Sequence, residues 1–533
     1  MMRAMLVLLS ILSIVGGEQG VRYLAFVPTQ YLDGVRPLID WHHRQGLETR
    51  VIVKSTFTAS EIKDSIQQEY NNHTPPKLRW VLLVGDVDRM PTYTGWGVSC
   101  SDIWFVDFDL NYRAECSIGR LSCDSNTDLA NQVEKILKYE QDPEPGDWLG
   151  KAVLISDRAT SSMDCKRGIY NYPYPFYRYT MDTLFGGYPG VGNSDVTRAI
   201  DEGRNLVNYI GRGSQTSWPL WNLSGENWTT TEISNLNNGD RTPIVFNIAA
   251  SCGRISHEDC LGEVWLEKYP GGAVASLAAS DVSYTTPNLA FDRALFWALG
   301  DSTSHGTPYQ LPLWDLGHII LFADYYMVMV AGPQGQINYK MYLLLGDPAL
   351  EVWRGRPEPC QGDHPDLIPT GPQNFIVTLT DTGGQPLRGA LVCVWKGSEV
   401  YEYDWTDATG KVTFSINPTS PGTLYVTGSP HNYIPYQGYA LVTTGVEEQL
   451  GAVSYFSLRS HLVTDQITCD YSFTPKEEVR ISIYDGLGRK VWERWFHLHG
   501  KGRVTIDLFP LKPGIYFINW GRGFEKFLIV SDS

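Results

Sequence analysis

Short apolar runs alternating with helix-spaced segments constrain this chain most. Between Val21 and about Tyr139, "YLAFVP", "ETRVIVK" and "RWVLLVGD" read as strands. Between them, "YLDGVRPLIDWHHRQG" and "ASEIKDSIQQEY" carry helical spacing, and the first ends at Gly46. A strand–helix–strand–helix–strand order demands a parallel sheet, with the crossover helices covering its faces. The texture returns in "KAVLISD", "LVNYIG", "TPIVFNIAAS" and "GGAVASLAAS". These runs are bounded by turn residues, and they predict strands buried on both faces. "NLAFDRALFWALG" predicts a helix with Asn288 as N-cap and Gly300 at its C-terminal end. "LLLGDPALEVW" closes this α/β region.

From about Phe375 onward the runs are strands separated by Gly, Pro and Asp-rich turns. They predict a β-sandwich of roughly 80 residues, then a second all-β unit from about Ser460 to Val530. A chain of 533 residues exceeds one hydrophobic core. The expected division is a leader at 1–17, α/β subdomains at 18–144 and 145–355, and β-sandwiches at 366–447 and 459–533.

The leader is "MMRAMLVLLSILSIVGG", with Arg3 before an apolar stretch and Val15 and Gly17 at cleavage-compatible positions. The stretch is short for a membrane span. "LGHIILFADYYMVMVAG" is longer, but His318 and Asp324 interrupt it. The formal charge of −16 has the wrong sign for phosphate backbones, so nucleic acid is not an expected partner. The nine cysteines are odd in number and contain no Cys-x-x-Cys pair, which excludes zinc-ribbon and thioredoxin motifs.

In open α/β sheets, chemistry sits just beyond the C-terminal strand ends. Two ends stand out: Gly211-Arg212-Gly213 after "LVNYI", and Ala249-Ala250-Ser251-Cys252-Gly253 after "PIVFNI". Together with "VLLVGDVDRMP", "SIGRLSCDSNTDLANQVEKILKYE", "GGAVASLAASDVSYTTPN" and "LLGDPALEVW", these segments resemble the gingipain-type cysteine peptidases. That is peptidase family C25, with a caspase-like fold, and the resemblance covers about residues 20 to 355. It implies an Ile-Gly-Arg turn at 118–120, and a Cys-His dyad in which a thiolate attacks the scissile carbonyl while imidazole handles the proton. It also implies backbone N–H groups, including that of Gly213, holding the oxyanion.

The position that holds histidine in the family is Arg212 here. A guanidinium stays protonated and has no acceptor, so it cannot relay a proton. Aligned on Gly253, the nucleophile position is Ala250, with Cys252 two residues downstream. On an extended strand that slip keeps the same face and moves the sulfur by about 6–7 Å. The expectation is a multidomain, exported protein with a substituted dyad that binds protein or peptide at the cell surface. One alternative is a working endopeptidase using Cys252 with His257 as a relocated base. Another is an adhesin or structural surface protein whose β-modules carry the function.

No cofactor is expected for chemistry. The resemblance makes a structural calcium possible at Asp102, Asp107 and Asp109, against a solvated turn. The aromatic stretch at 170–179 reads either as a groove lining or as packing. Thr229 with Glu232 reads as a helix-capping pair. The first β-module resembles immunoglobulin-like or carboxypeptidase-regulatory sandwiches. The last, with "VRISIYDGLGRKVW" and "LKPGIYFINW", resembles type IX secretion sorting domains and FlgD-like repeats. That resemblance implies contact with the secretion machinery of an outer membrane.

Overall fold

The short apolar runs are strands of a single ten-stranded sheet. The computed structural model describes residues 20–72, 75–175, 179–256, 258–444, 455–459, 462–485, 489–509, 511–512, 514–520 and 524–529. The leader, His257 and the Gly486–Gly488 hairpin turn lie outside them. The chain divides into two units, one ending at Thr443 and one starting at Thr444.

The first half of the sheet uses β1 (Tyr23–Pro28), β2 (Thr49–Lys54), β3 (Trp80–Val84) and β4 (Ser117–Leu121). Helices α1 (Leu32–Arg44), α2 (Ala59–Tyr70) and α3 (Asn126–Gln141) accompany it. The second half uses β5 (Lys151–Ser156), β6 (Thr180–Phe185) and β7 (Leu206–Ile210), with α4 (Thr160–Asn171) and α5 (Asn193–Asp201). A two-strand excursion follows, β8 (Ser217–Trp218) and β9 (Trp228–Thr229), then α6 (Thr230–Ser234). β10 (Ile244–Ile248), α7 (Leu261–Glu267), β11 (Ala275–Ala279), α8 (Thr285–Gly300), α9 (Leu316–Tyr339) and β12 (Tyr342–Leu345) complete it.

The strand order is β2-β1-β3-β4-β12-β11-β10-β7-β5-β6. Within each half the neighbours are parallel; β12 runs antiparallel to β11 and meets β4 at Leu345 and Arg120. Away from the edge strands β2 and β6 both faces of the sheet are buried, which is why the inner strands read as unbroken apolar runs. In β10, Ile244, Phe246 and Ile248 enter one core and Val245 the other.

Two readings need correction. Ile118-Gly119-Arg120 is not a turn but the centre of β4. A Cβ at Gly119 would stand 2.3 Å from the carbonyl oxygen of Gly346, so the glycine permits close approach within a strand. Asn288 is not an N-cap. The helix begins at Thr285, and the Asn288 carboxamide oxygen instead accepts hydrogen bonds from Asn338 (2.7 Å) and Tyr342 (2.8 Å). α9 is long and apolar enough to cross a membrane, but half of that stretch is buried inside the molecule, with α8 as its main partner.

Residues 361–443 form a three-stranded sheet over a five-stranded one, with Phe375, Val377, Val392, Val394, Leu424 and Val426 in the core between them. It docks on α1 and the turn that follows it: the Tyr401 ring stacks on His43 at 4.1 Å, and the Tyr403 hydroxyl donates to Glu48 at 2.9 Å. The second unit is built on the long hairpin of Gln466–Asp485 and Lys490–Asp507, around Ile467, Ile481, Ile483 and Ile518.

Two buried charged groups fix the α/β body. All five donors of the buried Arg120 are used: on both oxygens of Asp102 (2.8 and 2.9 Å) and on the carbonyls of Gly85, Met90 and Pro91. His42 lies 2.6 Å from Asp347, which also accepts from the Tyr23 hydroxyl at 2.9 Å. Burial alone would lower the His42 pKa, but the Asp347 carboxylate outweighs it and raises the value to about 9.

Arg120→Ala strands the buried Asp102 carboxylate and should destabilise the α/β unit by about 3–5 kcal/mol, read from its denaturant midpoint. The His42 pair contributes fully below the unfolded pKa near 6.5 and is lost as pH rises through about 9. The stability gap between the wild type and His42→Gln should therefore shrink between pH 6 and 10, by about 3 kcal/mol at most. A pH-independent gap would contradict the charged pair.

Candidate functional site

β7 and β10 are adjacent and parallel, with Ile210 beside Ile248. The loops that leave them therefore run side by side, and the Gly211 N–H still donates to the Ile248 carbonyl at 3.3 Å. The glycines on either side of Arg212 are steric necessities. A Cβ at Gly213 would stand 2.3 Å from the Ala250 oxygen and 2.8 Å from its nitrogen. A Cβ at Gly211 would stand 2.5 Å from the Tyr209 hydroxyl and 2.6 Å from the Asp157 Cβ. Only hydrogen fits in both places. Arg212 and Ala250 are thus brought together, on loops whose backbones touch.

The first loop is pinned from beneath. The Tyr209 hydroxyl donates to the Arg212 carbonyl at 2.9 Å, and its ring stacks on Trp218 at 4.1 Å. The Trp218 indole N–H donates to Asn247 of β10, whose amide reaches Ser276 of β11. The Arg212 side chain is exposed and forms no ion pair among the described residues.

The second loop departs from the extended geometry assumed for a two-residue slip. Ser251 adopts a φ of 62°, and its N–H donates to the Asp281 carbonyl at 3.0 Å. The turn leaves Ala250 partly exposed and sends Cys252 fully inside. Burial pushes the Cys252 thiol up to about 12, only partly offset by the Ser214 N–H. Gly253 continues inward, its N–H on the Ala279 carbonyl at 2.8 Å. His257 lies outside the described residues; Glu258 and Asp259 beside it are exposed.

Polar residues within the apolar runs support this edge. Asn208 of β7 donates to Asp292 at 2.8 Å, and Lys166 meets both oxygens of the same carboxylate, with Lys166 and Asp292 fully buried. Asp281 accepts from the N–H and hydroxyl of Ser99 and faces Arg254 at 3.4 Å. Sequence reasoning passed over these residues. The asparagines inside "LVNYI" and "IVFNI" were the available signal, since a buried carboxamide needs partners.

The other candidates resolve into structural roles. Asp102 has both oxygens on Arg120, and Asp107 accepts the Asn111 and Tyr112 N–H groups. Among the described residues no group of three or more His, Cys, Asp or Glu is arranged to hold a metal ion. Tyr172 and Tyr174 pack against Trp297 and Phe296, and the Tyr179 hydroxyl bonds the Trp353 carbonyl. Thr229 and Glu232 form the capping box. The nine cysteines are unpaired, and eight are buried.

Residues 17–353 match the family model Peptidase family C25, and residues 463–529 match a secretion system C-terminal sorting domain. Gingipain R2 of Porphyromonas gingivalis is 26% identical over 395 residues, 69% of this chain and 52% of the relative. Lys-gingipain of the same species is 23% identical over 451 residues, 78% of this chain and 25% of the relative. The chain thus spans about half or less of the length of the curated relatives it matches. The crystal structure of the Arg-specific cysteine proteinase gingipain R has a TM-score of 0.70 at 24% identity, covering 80% of this chain and 99% of that one. The fold is the gingipain-like, caspase-type α/β core followed by β-rich modules, as expected.

Enclosure and an elevated pKa together should leave Cys252 inert. Under native conditions at pH 8, iodoacetamide should not modify it, whereas full denaturation should expose it, as read by peptide mass mapping. Native labelling of Cys252 would contradict its placement in the core.

Proposed function

The chain belongs to peptidase family C25, and from that membership we propose an exported protein that keeps the peptidase scaffold and binds protein or peptide without cleaving it. The sorting domain at 463–529 marks it for export to the cell surface or beyond. We propose the secretion machinery as the partner of that domain.

One observation carries the non-catalytic reading. Arg212 and Ala250 end adjacent strands in touching loops, where the family's histidine and cysteine are expected, and the neighbouring thiol of Cys252 is sealed in the core. Ala250 offers no nucleophile. Arg212 offers no proton acceptor, and losing general acid–base help alone costs on the order of 10²–10⁴ in rate. The rival, a dyad of Cys252 with His257, needs a thiolate that burial disfavours.

Purified protein under reducing conditions should neither cleave casein nor label with a thiol-directed peptide probe. Arg212→His with Ala250→Cys supplies an imidazole with an ordinary pKa near 6.5 beside a thiol. The double variant should label and gain partial hydrolysis, and each single variant should stay near background, because catalytic partners are strongly non-additive. Casein cleavage by the unmodified protein that Cys252→Ala abolishes would overturn the reading.

A further inference from the structure

Replacing a histidine by an arginine does more than remove a base. It places a permanent cation one residue from backbone donors that have no acceptor among the described residues. The N–H groups of Gly213 and Ala250 have no acceptor among the described residues. They belong to loops in contact, since a Cβ at Gly213 would stand 2.8 Å from the Ala250 nitrogen. The exposed Arg212 guanidinium adds a planar fork of donors, free of any ion pair among the described residues.

Of the nearby acids, Asp157 and Asp281 are engaged, while Glu258 and Asp259 are exposed on the loop whose Glu258 carbonyl accepts from Gln215 at 3.0 Å. Asp157 lies beneath Gly211, 5% exposed, with one oxygen on the Ala159 N–H at 3.0 Å. Asp281 is held by Ser99, Val282 and Arg254. This strand-end edge therefore presents the Arg212 guanidinium and two unused N–H groups beside the Ala250 carbonyl oxygen.

We infer that the strand-end edge at Arg212 and Ala250 binds a peptide through a carboxylate, either its C-terminal group or an Asp or Glu side chain. The inference rests on the non-catalytic reading of the same site. A carboxylate has two oxygens and about four lone-pair directions, enough to take the guanidinium fork and a backbone N–H together. A neutral amide presents one carbonyl oxygen and two donors of its own, which face donors here. Binding selects acidic ligands because a neutral isostere leaves the cation unpaired.

The test uses the full chain and three fluorescent peptides of one neutral sequence, read by anisotropy. One peptide has a free C-terminal carboxylate, one has a C-terminal amide and a single central Glu, and one has an amide and Gln. One of the first two should bind about tenfold or more tighter than the third, and which one does so identifies the source of the carboxylate. Arg212→Gln should erase that preference with an unchanged thermal melt, and Arg212→Lys should keep part of it. Equal binding of all three, no binding, or a preference that survives Arg212→Gln would overturn the carboxylate site. Mass spectra of the recovered peptides separate the two readings. Cut peptides with the preference intact would remove only the non-catalytic reading, and intact peptides without preference would remove only the carboxylate site.

Discussion

The approach of Gly119 to Gly346 joins the two halves of the α/β sheet. A side chain at 119 would occupy the space of the Gly346 carbonyl, and the Gly346 N–H donates to the Arg120 carbonyl at 2.7 Å. β12 lies between β4 and β11 at this contact. Arg120, next to it, gathers the loops after β3 with its guanidinium, and Asp347, one residue beyond Gly346, holds Tyr23 and His42 from the first strand and helix. One crossing point thus ties the first strand and helix to the last α/β strand. The second half, which carries the candidate site, is thereby built against a fixed wall.

Much of this was legible because burial on both faces forces apolar runs. β1, β3, β7, β10 and β11 stand where their runs predicted them. The failures share a cause: local signals were overridden by distant partners. Asn288 has an N-cap's chemistry, but Asn338 and Tyr342 claim its side chain from 50 and 54 residues away. Ile-Gly-Arg has a turn's glycine, but the glycine serves a neighbouring backbone. A two-residue slip preserves a strand's face only while the strand lasts, and here β10 ends at Ile248, before the slip begins.

The candidate site was legible as a pair of strand ends and opaque in its details. The glycines around position 212 are dictated by Ala250, Tyr209 and Asp157, whatever stands between them. They testify to how closely two loops pack, and say nothing about catalysis. The residue between them is free of that constraint, because its side chain points to solvent. Chemistry at this edge is therefore separable from fold: the loops hold their course with arginine and alanine in place.

Charge gives the arginine its meaning. The chain carries 59 acidic against 43 basic side chains, so acidic partners are in surplus. Arg120, Arg204 and Arg241 each find one. Arg212 stands without one among the described residues, in a place where the backbone also offers unused donors. The surplus negative charge of the body opposes an anionic ligand only at long range, and at physiological salt that field decays over about 8 Å. Contact geometry decides affinity inside that distance. There a guanidinium and two amides stand against an enclosed Asp157, with the exposed Glu258 and Asp259 on the neighbouring loop.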